Sequence, residues 1–306
     1  MTRIATYAQS SHILANALKA QERVHENQTR AATGQVAQRY QGLAGNARRL
    51  LSLEADHRRA TQYIENNRLV DQRLQAMETA VSSVLSSATS FKSYAIQALN
   101  ANPRDDGNLA SLSQNLFQQM AALLNTKVDG RYLLSGSRTD IRPVDFTNAG
   151  FGPPAFTYPT VANSAYYDGD SITLAVQADE TVTLSYGLTA DNPAFEKTIR
   201  AFHLGATATT SGFLDTVRVN EALRVINEAL DTLPNLLSKI GVARTTLEGA
   251  SGRHNNYLQY FEQSINEIES ADVAETLAHL NADTAQLEAS YATIARVSRM
   301  SLLDYL

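Results

Sequence analysis

Along two long stretches of the chain, apolar positions recur with alternating steps of four and three. Val70, Leu74, Met77, Val81, Val84, Ala88, Phe91, Ala95 and Ala98 mark the first. Val219, Leu223, Ile226, Leu230, Leu233, Leu237 and Ile240 repeat the pattern in the second; polar Arg244, Ser251 and His254 interrupt it around Leu247, and Leu258, Phe261, Ile265 and Ile268 resume it. Sustained over so many turns, this is the spacing of a coiled-coil seam rather than of a short globular helix. It predicts one helix over 46–100 and another over 212–269, each about 80 Å long at about 1.5 Å per residue. Asn100 to Pro103 ends the first, because the residue before proline avoids the helical region. Asn108 is placed to cap a further helix through Leu109, Leu112, Leu116, Met120 and Leu123. Pro234, Gly241, Gly249 and Gly252 are expected to weaken or kink the later helix.

The period changes in the middle of the chain. Ile172, Leu174 and Val176 alternate with polar residues, as do Val182, Leu184 and Tyr186, which predicts two strands closed into a hairpin by residues 177–181. Tyr166 and Tyr167 form a preceding strand that bends at Asp168-Gly169-Asp170. Four of the seven prolines (Pro143, Pro153, Pro154 and Pro159) fall within 131–190, which sets this β-rich module apart from its helical flanks.

The two ends carry stripes of their own. Ile4, Tyr7, Ser11, Leu14 and Leu18 line the first, with Gly34 placed to stop that helix. Asp272 to Glu275 reads as a capped helix start, followed by Leu277, Leu280, Thr284, Leu287, Tyr291 and Ile294 and closing at Leu302 and Leu303. Charges lean opposite ways: Arg3, Lys19, Arg23 and Arg30 on one, Asp272, Glu275, Asp283 and Glu288 on the other. An isolated two-helix layer buries little apolar surface against its ordering entropy. Either the two ends form a self-contained helical pair, or they order fully only among neighbouring copies; on the second reading the apolar residues Ile4, Tyr7, Leu14, Leu18, Leu277, Leu280, Leu287, Tyr291, Ile294, Leu302 and Leu303 are the candidate assembly interface. The expected architecture is mainly α with a small β module, an elongated rod of long antiparallel coiled-coil-like helices. It divides into a terminal layer (1–45 and 270–306), a long-helix body (46–130 and 191–269) and an outward β-rich module (131–190).

Composition removes several alternatives. The net charge of −5 gives no electrostatic case for nucleic acid or an acidic membrane, and no cysteine is present for a thiolate nucleophile, disulfide or cysteine metal site. No run of about 18 apolar residues suggests membrane insertion. Ser10, Ser11, His12, Asn16 and Lys19 interrupt the first twenty residues, so any export is expected without a cleaved secretory signal. The six histidines have no metal-ligand spacing, and His57 and His254 fall on or near the helix seams as packing residues. Asp168-Gly169-Asp170 lacks the remaining ligands of a calcium loop, and Ser135-Gly136-Ser137 is not a nucleophile elbow. No catalytic, metal or cofactor site is expected, and the chain is not read as an enzyme. A weaker alternative is a surface protein holding a glycan on Tyr158, Tyr166, Tyr167 and Tyr186.

The segment from Asn125 to Thr139 resembles the helix-to-β transition of bacterial flagellins and hook–filament junction proteins, the flagellin family that includes hook-associated protein 3. The closing Ser301 to Leu306 is similar to the junction-protein C-terminus. Ala32-Thr33-Gly34-Gln35 matches that family's turn after the first helix, and Gly241, Arg244, Leu247 and Glu248 match a motif in its long C-terminal helix. The resemblance implies a structural subunit of the bacterial flagellum that joins hook to filament, or alternatively a minor filament flagellin. It further implies type III export with a chaperone, extracellular assembly through the terminal helices, and partners that are copies of itself, a neighbouring hook-associated protein and flagellin. Where receptor-activating flagellins carry an Arg- and Glu-containing patch, this chain reads Gln118-Gln119-Met120-Ala121-Ala122, which implies weak or no activation of the flagellin receptor.

Overall fold

The computed structural model describes residues 2–101, 106–210 and 213–303; for 2–10, 44, 106–107, 210 and 297–303 it describes the backbone alone. The fold is mainly helical with a small β module. Six helices occur among the described residues: α1 (Thr2–Thr33), α2 (Ala47–Asn100), α3 (Asp106–Leu124), α4 (Pro193–Ala206), α5 (Thr216–Glu269) and α6 (Val273–Leu303). A 3-10 helix, Tyr40–Asn46, precedes α2. The chain forms two compact units, one of residues 1–59 with 256–306 and the other of residues 60–255, so α2 and α5 contribute to both.

In the unit formed by 60–255, every predicted seam position of α2 from Val70 to Ala98 is buried. α2 and α5 run antiparallel there, since Tyr63 stacks on His254, Asn67 lies 3.4 Å from Ser251, and Arg244 pairs with Asp71 (2.8 Å) and Glu78 (2.7 Å). On α5 the predicted stripe is half right. Val219, Ile226, Leu233, Ile240, Leu247 and His254 are buried, but Leu223, Leu230, Leu237, Arg244 and Ser251 are only half-buried. One residue before each of these stands a buried one that the stripe did not include: Ala222, Ala229, Leu236, Ala243 and Ala250. The physical reason is a face wider than a two-helix seam: Leu223, Leu230 and Leu237 pack at the rim of the same core while small residues take its centre. Helix α5 also continues through Pro234 and its glycines without a break.

One further expectation is corrected. Asn108 lies inside α3, which already begins at Asp106, so it is not the cap. Helix α4 has no counterpart in the sequence-based description, although its start is marked: Asn192 Oδ1 accepts the Ala194 N–H at 3.0 Å and Pro193 opens the first turn. Its Phe195, Ile199 and Phe202 are buried, Phe202 meeting Phe91 of α2 edge-on at 5.3 Å. Gly205 permits this approach, because a Cβ there would lie 2.4 Å from Ser113 Oγ and 2.6 Å from the Phe91 ring.

Among the described residues the strands form three antiparallel pairs: β1 (Lys127–Val128) with β2 (Arg131–Tyr132), β3 (Leu174–Gln177) with β4 (Thr183–Tyr186), and β5 (Thr209–Thr210) with β6 (Phe213–Leu214). β3 and β4 follow the predicted period, with Leu174 opposite Tyr186 and Val176 opposite Leu184 on the core side. The strands are shorter than expected, and Ile172 lies outside β3, largely exposed. Tyr167 bridges Val144 as an isolated pair rather than in a full strand. The hairpin turn explains the polar interruption of α5. The Ala178 carbonyl accepts from Asn67 Nδ2 at 3.0 Å and lies 3.1 Å from His254 Nε2, while Arg253 pairs with Asp179 at 3.1 Å. Polar residues occupy the seam there because a backbone carbonyl enters it and needs donors.

Candidate assembly interface

The terminal unit is built from α1, α6 and the adjoining ends of α2 and α5. Gly34 stops α1 as expected: its φ is +70° and its N–H reaches the Arg30 carbonyl at 2.8 Å. The connections leaving α1 and α5 are then laced together. Val36 N–H donates to the Glu269 carbonyl and Ala271 N–H to the Gly34 carbonyl, both at 2.8 Å, around a Gln35–Ser270 bridge. Beneath them Leu43, Leu50, Leu53 and Ile268 make a small core, with Phe261 and Ile265 at its edge. Asp272 caps α6, its Oδ1 accepting the Ala274 and Glu275 N–H groups at 2.9 and 3.1 Å.

Helices α1 and α6 pair along a seam that departs from the predicted stripe on α1 and keeps four of its six positions on α6. On α1 the buried positions are Ala17, Ala20, Val24 and Asn27. On α6, Thr276 is buried and Leu280, Thr284, Leu287 and Ile294 are half-buried. The seam is small and partly polar. Arg23 Nε donates to Asp283 Oδ1 at 2.8 Å, Arg23 Nη2 to Gln286 at 2.9 Å, and Asn27 Nδ2 to Asp283 Oδ2 at 2.9 Å. The opposite leanings of the two charge sets meet in this clasp.

The large apolar residues beside the seam stay outside it. Leu14 (53% exposed) and Leu18 (58%) follow Ile13 and Ala17 by one position, about 100° around the helix. Leu277 and Tyr291 are likewise exposed, and Val273 adds to their face. Of the candidate residues, Leu280, Leu287 and Ile294 thus face the α1–α6 seam, whereas Leu14, Leu18, Leu277 and Tyr291 face away from it. The side chains of Ile4, Tyr7, Leu302 and Leu303 lie outside the described ones, and residues 304–306 lie outside the described residues altogether. Sequence reasoning missed the alanine seam, because Ala17 and Ala20 stand out less than their leucine neighbours.

Elsewhere the alternative uses are not supported. Tyr166 and Tyr186 are buried, and Tyr158 and Tyr167 are half-buried against the core, so these rings are not a stacking surface for a glycan. Burial pushes the Tyr166 and Tyr167 hydroxyls well above their usual range, as expected of core tyrosines. Among the described residues no cluster of His, Asp and Glu could hold a metal, and no helix is long and apolar enough to cross a membrane.

Both helical ends match known family regions. Residues 4–139 match the bacterial flagellin N-terminal helical region and residues 223–306 the bacterial flagellin C-terminal helical region. The chain belongs to the bacterial flagellin family. It is a structural, non-enzymatic flagellar component, associated with the extracellular flagellum and with other flagellar subunits. No curated protein sequence matches it. Among solved structures it is similar to one from Vibrio parahaemolyticus named as a flagellar hook-associated protein (16% identity, TM-score 0.58, covering 73% of this chain and 97% of that one). It is similar also to FlgL of Bacillus cereus (17%, 0.55, 71% and 99%) and to flagellar hook-associated protein-3 of Legionella pneumophila (15%, 0.55, 71% and 98%). At these identities the likeness establishes the flagellin-like fold. Residues 140–222, including most of the β module and α4, lie between the two matched family regions.

Proposed function

We propose that this flagellin-family chain is the adaptor joining the flagellar hook to the filament, assembling with copies of itself through α1 and α6. The observation that carries the assembly mechanism is the apolar surface left beside the α1–α6 seam at Leu14, Leu18, Leu277 and Tyr291. A ring of neighbouring protomers would cover the exposed half of each of those side chains, contributing about half of the roughly 1.5–3 kcal/mol that full burial of a large apolar side chain supplies. The adaptor role, as against that of a minor filament flagellin, is favoured by two structural neighbours named as hook-associated proteins and matched over 97% and 98% of their length. On this proposal the chain leaves the cell through the type III apparatus with a chaperone on its C-terminal helix, and meets a hook-associated neighbour on one side and flagellin on the other. The 1–45/270–306, 46–130/191–269 and 131–190 segments then serve as assembly layer, body and outward module.

The test is genetic and biochemical. Leu18→Glu with Leu277→Glu, expressed in place of the wild-type chain, should be exported but absent from isolated hook–basal bodies, and cells should shed filaments. Normal incorporation and motility would defeat the assembly mechanism. Purified wild-type chain that grows long filaments unaided would favour the filament flagellin instead.

A further inference from the structure

A cavity of about 240 Å³ lies between the 151–163 loop and one face of α4, within the segment between the two family-matched regions. Its walls are of two kinds. Phe151, Pro153, Val161 and Ile199 supply apolar surface, and Arg200, 9% exposed, supplies a guanidinium. Arg200 Nη1 donates to the Thr160 carbonyl at 2.6 Å and Nη2 to Glu196 Oε2 at 3.2 Å, but its buried Nε–H makes no hydrogen bond within the chain. The other oxygen of Glu196 accepts the Asn163 N–H at 3.0 Å, so both carboxylate oxygens are engaged by the protein itself.

A second guanidinium stands behind the wall. Arg218 is fully buried, donates to Thr207 Oγ1 and to the carbonyl of the wall residue Pro154 at 2.9 Å, and lies against the Phe156 ring at 4.3 Å. Among the described residues no carboxylate pairs with it, and its Nη1 is also without an acceptor. Burial, with the Arg218 charge adding to it, holds the lining His203 below the usual histidine range. A buried, unbalanced guanidinium is among the costlier features a fold can retain. Here one guanidinium lines a half-apolar cavity and a second, unpaired one lies behind its Pro154 wall.

We infer that this cavity is a binding site for a small organic monoanion, a carboxylate on an apolar or aromatic body. The carboxylate lies against the Arg200 guanidinium and answers the uncompensated Arg218 charge behind the wall, and the body lies against Phe151, Pro153 and Ile199. The site is independent of the assembly proposed above.

Benzoate is the probe, with acetate (the charge without the body) and benzamide (the body without the charge) as controls, titrated into the full-length monomer and followed by amide chemical shifts. Benzoate should bind saturably, more tightly than either control, with shifts concentrated at Ala162, Asn163, Ile199 and Arg200. Val161→Asp places a like charge at the exposed mouth, where Val161 is 83% exposed, and should leave the fold intact. It should weaken benzoate binding about tenfold. Absence of saturable binding, equal affinity for benzoate and benzamide, or unchanged binding to the Val161→Asp protein would each overturn the inference.

Discussion

The body and the terminal pair use the same four-three spacing to different ends. In the body every stripe position of α2 from Val70 to Ala98 is buried by the chain's own helices. In the terminal pair the seam is lined by Ala17, Ala20 and Val24, while Leu14, Leu18, Leu277 and Tyr291 remain exposed. A stripe of large residues thus marks what must be covered, without saying whether the same chain does the covering. Where α2 shares one core with α3, α4 and α5 the cover is internal; where two helices meet through alanines and an Arg23–Asp283 clasp, large apolar side chains are left over.

That contrast can be broken most severely in the body. Phe91→Ala removes a fully buried ring that meets Phe202, and should cost about 3–5 kcal/mol in urea unfolding. A next, pH-dependent effect comes from Glu221, whose carboxyl the adjacent Arg224 guanidinium and two Thr160 donors hold down at about 2. Its folded value lies below the unfolded one, so its contribution is present above about pH 4.5 and lost as pH falls toward 2; it should be on the order of 2 kcal/mol, allowing for the partial exposure of Arg224. Glu221→Gln should flatten that acid limb in unfolding curves taken between those pH values. Gly205→Ala forces a Cβ into Ser113 and Phe91, and its strain should exceed the helix-propensity gain by about 1–2 kcal/mol. The smallest effect sharpens the contrast: Leu18→Glu or Leu277→Glu should change monomer stability by no more than about 0.5 kcal/mol, since both side chains already face water.

What could be read in advance follows from how loudly each residue speaks. The α2 seam was legible because its positions are mostly Val, Leu, Met and Phe with no competing stripe. The α5 seam was half legible: Ala222, Ala229, Ala243 and Ala250 carry its centre and are silent beside Leu223, Leu230 and Leu237. Helix α4 escaped although Asn192-Pro193 announces its start, because its apolar face spans only three turns. The purpose of polar Ser251 and His254 was invisible until the Ala178 carbonyl was placed against Asn67 and His254. The cavity beside α4 was beyond reach for a similar reason, since Arg200 and Arg218 read as surface arginines until Thr160, Pro154 and Thr207 are brought to them.

Amide hydrogen exchange on the free monomer tests most directly the claim that the body covers its own stripes and the terminal pair does not. Amides of α2 between Leu74 and Ala95 should exchange only through global unfolding, and those of Leu14–Val24 and Leu277–Tyr291 at least about a hundredfold faster, the latter slowing once the chain is assembled. Equal protection of both regions in the lone molecule would contradict the account.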